Sequence, residues 1–219
     1  MPGTPPLGPA ALSDVRRRTS PTARRSAPSL VLAVALVAAV LIAAAPARAQ
    51  AACSSASLTA GEAPAGAVEA AITCLVNGER AARGLETVGR AGALDAVARR
   101  HASDMVTRRY FAHVSPTNGT VEKRARRGGY LTAPCWALGE DLGWAPPSVA
   151  SPQAVVEAWM ESPGHRAVIL DPDFRELGIG IVGEAPTGDG AGATFVLEMG
   201  AMTLCARERT GPRARIRVS

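Results

Sequence analysis

What most limits this chain lies ahead of anything that could fold. Residues 30–45 are an uncharged apolar run, preceded by Arg16, Arg17, Arg18, Arg24 and Arg25 and followed by Ala47-Arg48-Ala49. A basic region, an apolar stretch and a small-residue site in that order read as a secretory signal peptide over residues 1–49, cleaved after Ala49. The run is shorter than the ~20 residues a membrane helix needs. An uncleaved N-terminal membrane anchor is the alternative, and no membrane span is expected after cleavage. The remaining 170 residues are therefore expected outside the cytoplasm, secreted or associated with the cell envelope. They suffice for one domain that buries about 70% of its extended-chain surface.

The leader also changes the charge argument. The whole chain carries 24 Lys+Arg against 19 Asp+Glu, a formal net charge of +5. Six of those arginines and one aspartate lie in residues 1–49, so the rest holds 18 of each sign and is neutral. Nucleic-acid binding, which a basic domain would suggest, is not expected. Two local basic clusters persist: Lys123, Arg124, Arg126 and Arg127, and the tail 207–219. They read as a solvated helix face and a disordered end, or as a contact with an anionic envelope polymer.

All four cysteines, Cys53, Cys74, Cys135 and Cys205, follow the leader. An even count in an exported chain points to two disulfides. Of the three pairings, Cys53–Cys74 with Cys135–Cys205 is favoured. The first would tie the N-terminal segment to the first helix, and the second a mid-chain loop to the last strand. No C-x-x-C pair occurs, which argues against a zinc ribbon or redox motif.

Periodicity orders the elements. Residues 50–65, rich in Ala, Ser, Gly and Pro, read as a flexible tether. Val68, Ile72, Leu75 and Val76 predict a helix within 66–83, and Leu94, Val97, Ala98, His101, Ala102 and Met105 a second one ending near Arg109. Thr120 caps a short basic helix closed by Gly128-Gly129. Residues 131–150, with Trp136, Glu140 and Trp144, read as an irregular loop. Ser151 caps a further helix with Pro152 at its first position, and 165–170 looks helical. Strands are predicted at 177–182 and 194–204. Early helices and late strands indicate an α+β fold with helices on a small antiparallel sheet. Gly178 to Gly183 matches G-x-G-x-x-G, but that motif must follow a strand and open a helix. Here it is the strand itself, so a dinucleotide site is not expected.

No H-E-x-x-H, G-x-S-x-G or P-loop is present, and oxidised cysteines are not nucleophiles. Chemistry falls to the three histidines and nearby carboxylates. His101 lies on the apolar stripe of its helix and reads as a core histidine. His113 sits in a loop between Tyr110-Phe111 and Ser115-Pro116, where a turn can aim its ring into a cleft. His165 follows Ser162-Pro163-Gly164 in the first turn of a helix. The positive end of the helix dipole disfavours imidazolium there and keeps the ring able to bind a metal or accept a proton. Glu140 and Glu161 are candidates to orient the rings or ligate a metal, with hydrogen bonding to nearby backbone N–H groups as the alternative.

These stretches resemble a known family. LVNGERAARGL (75–85), HASDMVTRRYFAHVSP (101–116), GGY (128–130), GED (139–141) and AWMESPGHRAVILDPDFRELGIGIV (158–182) are similar, in order and spacing, to the CAP superfamily (cysteine-rich secretory proteins, antigen 5 and pathogenesis-related 1) in its bacterial SCP-like extracellular form. The resemblance covers about 70–204, within a domain placed at 66–206. It implies a three-layer α-β-α sandwich whose cleft is lined by two His and two acids. His113 and His165 match the two His. Glu140 matches the Glu of a Gly-Glu-Asn, with Asp141 in place of the Asn. Glu161 is the nearest match to the second acid, although the eukaryotic spacing is one residue longer. The resemblance implies extracellular binding more than a defined reaction, and no catalytic residue is assigned. The expectation is a binding module whose cleft holds a lipid, a glycan, another cell-wall component or a divalent metal such as Zn²⁺ on His113 and His165. Trp136 and Trp144 are candidates for an apolar wall, and no cofactor is required. The alternatives are a metal-assisted hydrolase of cell-wall peptide or glycan with Glu140 as base, and a structural envelope protein with a vestigial cleft.

Overall fold

Apolar side chains three and four residues apart form the expected helices. The computed structural model describes residues 53–202 and 214–219, so the leader and Cys205 lie outside the described residues. Helix α1 (Ala65–Ala81) buries Val68, Ile72, Leu75 and Val76 along one stripe. Cys74 on this helix is bonded to Cys53. Cys135 is also disulfide-bonded, while its expected partner Cys205 is not among the described residues. Residues 53–64, part of the segment read as a tether, form turns. The Ala60 N–H donates to the Ala150 carbonyl, and the Ala56 carbonyl accepts from the Gln153 N–H.

Helix α2 (Gly92–Arg108) buries Leu94, Val97, Ala98, His101, Ala102 and Met105. It stops at Arg109, which takes a left-handed conformation with φ of 57°. Helix α3 (Val121–Arg127) is capped by Thr120, whose hydroxyl accepts from the Lys123 N–H. Helices α4 (Pro152–Glu161) and α5 (Pro163–Ile169) follow, the first capped by Ser151.

Five strands make one sheet in the order β1-β3-β4-β2-β5. They are β1 (Gly89–Arg90), β2 (Trp136–Ala145), β3 (Glu176–Val182), β4 (Ala193–Met202) and β5 (Ala214–Val218). The inner three, β3, β4 and β2, pair antiparallel, and the edge strands β1 and β5 run parallel to their neighbours. Even-numbered positions of β2, β3 and β4 face α2 and α3, as Leu138, Leu142 and Val196 do. Odd positions such as Leu177, Ile179, Phe195, Leu197 and Met199 pack with α1, α4 and α5. The result is an α-β-α sandwich.

Two sequence expectations need correction. The segment 131–150 is not an irregular loop, because its middle is the ten-residue strand β2, paired on both edges. Glycines and acids hide it from a propensity reading, and pairing with β4 overrides them. A Cβ on Gly139 would lie 2.8 Å from Phe174 and Val168, so bare backbone is what lets α5 close on the strand. The tail is also ordered at its end: residues 214–218 form β5. Arg215 and Arg217 reach Asp171 at 2.7 and 2.8 Å, and Arg215 also reaches Asp173 at 3.0 Å.

The Gly178-to-Gly183 run is strand, as expected, and its glycines have a packing reason. A Cβ on Gly178 would sit 2.2 Å from the Leu94 backbone, and one on Gly180 2.2 Å from that of Ala98. Helix α2 thus rests its backbone directly on β3.

Candidate functional site

Strand β2 carries Glu140 into the layer beneath α2 and α3, where it is fully buried. A carboxylate there is stable only if its oxygens are met by donors. His113 Nδ1–H donates to Oε1 at 2.7 Å, and Arg124 Nη2–H donates to Oε2. Burial favours the neutral acid, but the His113 hydrogen bond and the Arg124 charge outweigh it and hold Glu140 below the usual carboxylate range. His113 is thereby held with a proton on Nδ1, and the ring is oriented by the carboxylate.

Arg124 does more than neutralise. Its Nη1 donates to the carbonyls of His113 and Gly119, both at 2.8 Å. One guanidinium therefore fixes the loop that carries His113 and the carboxylate that orients the ring. The loop is pinned again by Asp104, which accepts from the Tyr110 hydroxyl at 2.5 Å and the Ser115 hydroxyl at 2.6 Å. Burial opposes the charge on Asp104, but bonds from Ser115, Tyr110 and Arg108 prevail and bring it down to about 2.

His101 keeps its expected structural role. It is 1% exposed, and its Nε2–H donates to the Ala112 carbonyl at 3.1 Å, one residue before His113. Burial, aided by the Arg124 charge, lowers it to about 4, so the ring is neutral.

His165 comes from the opposite layer, in the first turn of α5. Its half-buried ring is close enough to His113 to feel its charge, and it bonds to the backbone of Ser219. Its pKa is lowered, by burial first and by His113 second. Burial and a neighbouring imidazole, not the helix start, are what favour the neutral form of this ring. Its buried Nδ1 has no hydrogen-bond partner among the described residues. The end of β5 lies at the same place, where the Ser219 N–H donates to the Glu140 carbonyl at 3.3 Å.

Glu161 ends α4, is exposed, and makes no polar contact with the pair formed by His113 and Glu140. Of the four cleft candidates, His113 and Glu140 are hydrogen-bonded, His165 lies near enough to His113 to be influenced electrostatically, and Glu161 lies outside these contacts. Trp136 is core, 4% exposed, while Trp144 is 46% exposed, so the two do not make one apolar wall.

Sequence reasoning missed Arg124, read as part of a solvated face, and Glu198. Glu198 is fully buried on β4 in register with Glu140. Burial, together with the Glu140 charge, pushes it well above the usual range, so it is a neutral acid beside an ionised one. A lone Glu within the apolar strand TFVLEMGAM was the available signal. Asp141, fully buried on the other face of β2, is raised likewise by burial and by Glu140.

The donor set limits metal binding. Both Glu140 oxygens are committed, and His101 is bonded to backbone. Among the described residues no three His, Cys, Asp or Glu side chains are grouped to hold a metal ion. Two imidazoles do not make the three- or four-ligand set of a resident zinc.

This sandwich, with His113 bonded to Glu140 on β2, is the architecture of a secreted-protein class. The chain belongs to the CAP family, described as the Cysteine-rich secretory protein family, whose sequence model matches residues 74–199. It is 34% identical over 118 residues to the uncharacterized protein YkwD of Bacillus subtilis (strain 168), covering 53% of this chain and 43% of that one. A 72-residue stretch is 32% identical to the uncharacterized membrane protein YlbC of the same organism, covering 33% of this chain and 19% of that one. Among solved structures it is similar to an extracellular protein containing a SCP domain from Bacillus anthracis, with 27% identity and a TM-score of 0.50 over 61% of this chain and 40% of that one. An outer surface protein from Borrelia burgdorferi shares the fold, with 20% identity and a TM-score of 0.50 over 60% of this chain and 90% of that one. The chain spans under half the length of both Bacillus subtilis relatives.

Proposed function

We propose that this chain is a binding module of the bacterial cell exterior, secreted or envelope-associated, which engages a cell-wall or lipid component through His113 and His165. The observation that supports this most is the Arg124–Glu140–His113 chain of charge-assisted bonds. It orients one imidazole rigidly and commits buried charge to do so, as sites that recognise a ligand do. His165, neutral and half-buried, supplies a second ring from the other layer. The signal-like leader and the extracellular relative support the location. No helix among the described residues is long and apolar enough to cross a membrane.

The hydrolase alternative is less well supported. A general base works best with a pKa near the operating pH, whereas Glu140 is held ionised, with both oxygens occupied. It acts as a positioning carboxylate. A divalent ion at His113 and His165 would need water or ligand to complete its shell, so binding is expected to be weak.

Co-sedimentation tests the reading. Mature protein is spun with purified cell-wall sacculi and, separately, with phosphatidylglycerol vesicles. The protein is expected to pellet with one of them and to lose that binding in His113→Ala/His165→Ala. Recovery in neither pellet, or equal recovery of the double variant, would remove the proposal. Release of soluble wall fragments, abolished by Glu140→Gln, would restore the hydrolase.

A further inference from the structure

The basic cluster around Arg124 builds a second concavity. A cavity of about 340 Å³ opens between α2 and α3, lined among others by Val97, Arg100, Asp104, Arg108, Arg124 and Arg127. That volume is at the lower end of small-molecule sites. Four guanidiniums face one carboxylate, and Asp104 is already used by Arg108 at 2.9 Å and by the Tyr110 and Ser115 hydroxyls. Arg124 is taken up by Glu140. Among the described residues Arg100 and Arg127 have no carboxylate partner: Arg100 donates to the Ala96 carbonyl at 3.0 Å, and Arg127 to oxygens of Asn118. Arg124, itself 6% exposed, also keeps a buried Nε–H with no acceptor among the described residues.

Unneutralised cations gathered in one concavity repel each other and draw in an anion. Guanidinium forks match the two-oxygen edge of a carboxylate or phosphate. The Ser103 and Thr107 hydroxyls line the same wall. Val97 and Gly128 add an apolar strip, and a Cβ on Gly128 would lie 2.5 Å from Val97. We infer that this cavity is a binding site for a small molecule bearing an oxyanion, phosphate or carboxylate, separate from the His113–His165 cleft. The two sites share Arg124, whose Nη1 and Nη2 serve the His113 loop and Glu140.

Titration calorimetry and amide NMR on the mature chain, with inorganic phosphate and with citrate, test this. Saturable binding of at least one is expected, with shifted amides in α2 and α3. Phosphate alone binding identifies a phosphate site, and citrate alone a carboxylate site. Arg100→Ala/Arg127→Ala, both exposed positions, should weaken binding about tenfold or more. Arg83→Ala/Arg175→Ala removes equal charge elsewhere and should leave it nearly unchanged. Binding of neither anion, or equal weakening by the two pairs of substitutions, overturns the inference.

Discussion

Arg124 joins three parts of the site: the His113 loop, the Glu140 carboxylate and the wall of the α2–α3 cavity. Removing one partner of a buried pair leaves the other charge without compensation. Arg124→Ala is therefore expected to cost about 3–5 kcal/mol in urea unfolding. A loss below about 1 kcal/mol, the scale of an exposed pair, would mean that Glu140 is not ionised in the fold. The neighbouring titrations act in opposite directions with pH. His101, lowered to about 4 by burial, contributes stability that is complete above its unfolded value of about 6.5 and is lost as pH falls toward 4. Glu198 and Asp141 are raised, so their contribution is complete below about 4 and is lost as pH rises toward their folded values. Glu198→Gln keeps the neutral form at every pH. Its stability relative to the native chain should rise between pH 5 and pH 8, read from urea midpoints. No change in that difference would show that Glu198 is ionised.

At the scale of elements, helices were legible and strands were only partly so. The α1 and α2 stripes and the Thr120 and Ser151 caps are local signals, and each marks a helix. β2 was not legible, because Gly139, Glu140, Asp141 and Gly143 carry low strand propensity. Their reasons for being there, close helix packing and a buried charge network, are visible only once β4 and α5 are in place. Gly180→Ala tests the packing argument. Its Cβ would meet the α2 backbone at 2.2 Å, and overpacking of this kind costs about 1–3 kcal/mol. An unchanged urea midpoint would contradict the contact. β5 escaped notice because its anchors, Asp171 and Asp173, lie more than 40 residues away. Asp171→Ala should speed amide exchange at Ile216, Arg217 and Val218 while leaving β4 protected. Equal protection before and after would show that backbone pairing alone holds the strand.

For the whole molecule, the family and its layered architecture could be read from ordered motifs, while the composition of the site could not. His113 meets Glu140 because the loop after α2 reaches β2, and the motifs marked both residues. The same motifs suggested Glu161, which the end of α4 leaves exposed, and they were silent on Arg124 and Glu198. Two imidazoles with no third ligand grouped among the described residues make independence of the fold from metal a testable expectation. The thermal midpoint is expected to be the same with and without EDTA, because only a ligand bound to the native state raises it. A fall of several degrees on chelation would reveal a structural ion.

The central claim is that buried charge fixes the protonation geometry of His113. Long-range ¹⁵N–¹H NMR of the imidazole rings at neutral pH reads it directly. The account requires a persistent, hydrogen-bonded proton on His113 Nδ1, and loss of that signature in Glu140→Gln. A His113 ring bare at Nδ1, or one whose Nδ1 proton is not held in the native chain, would contradict it.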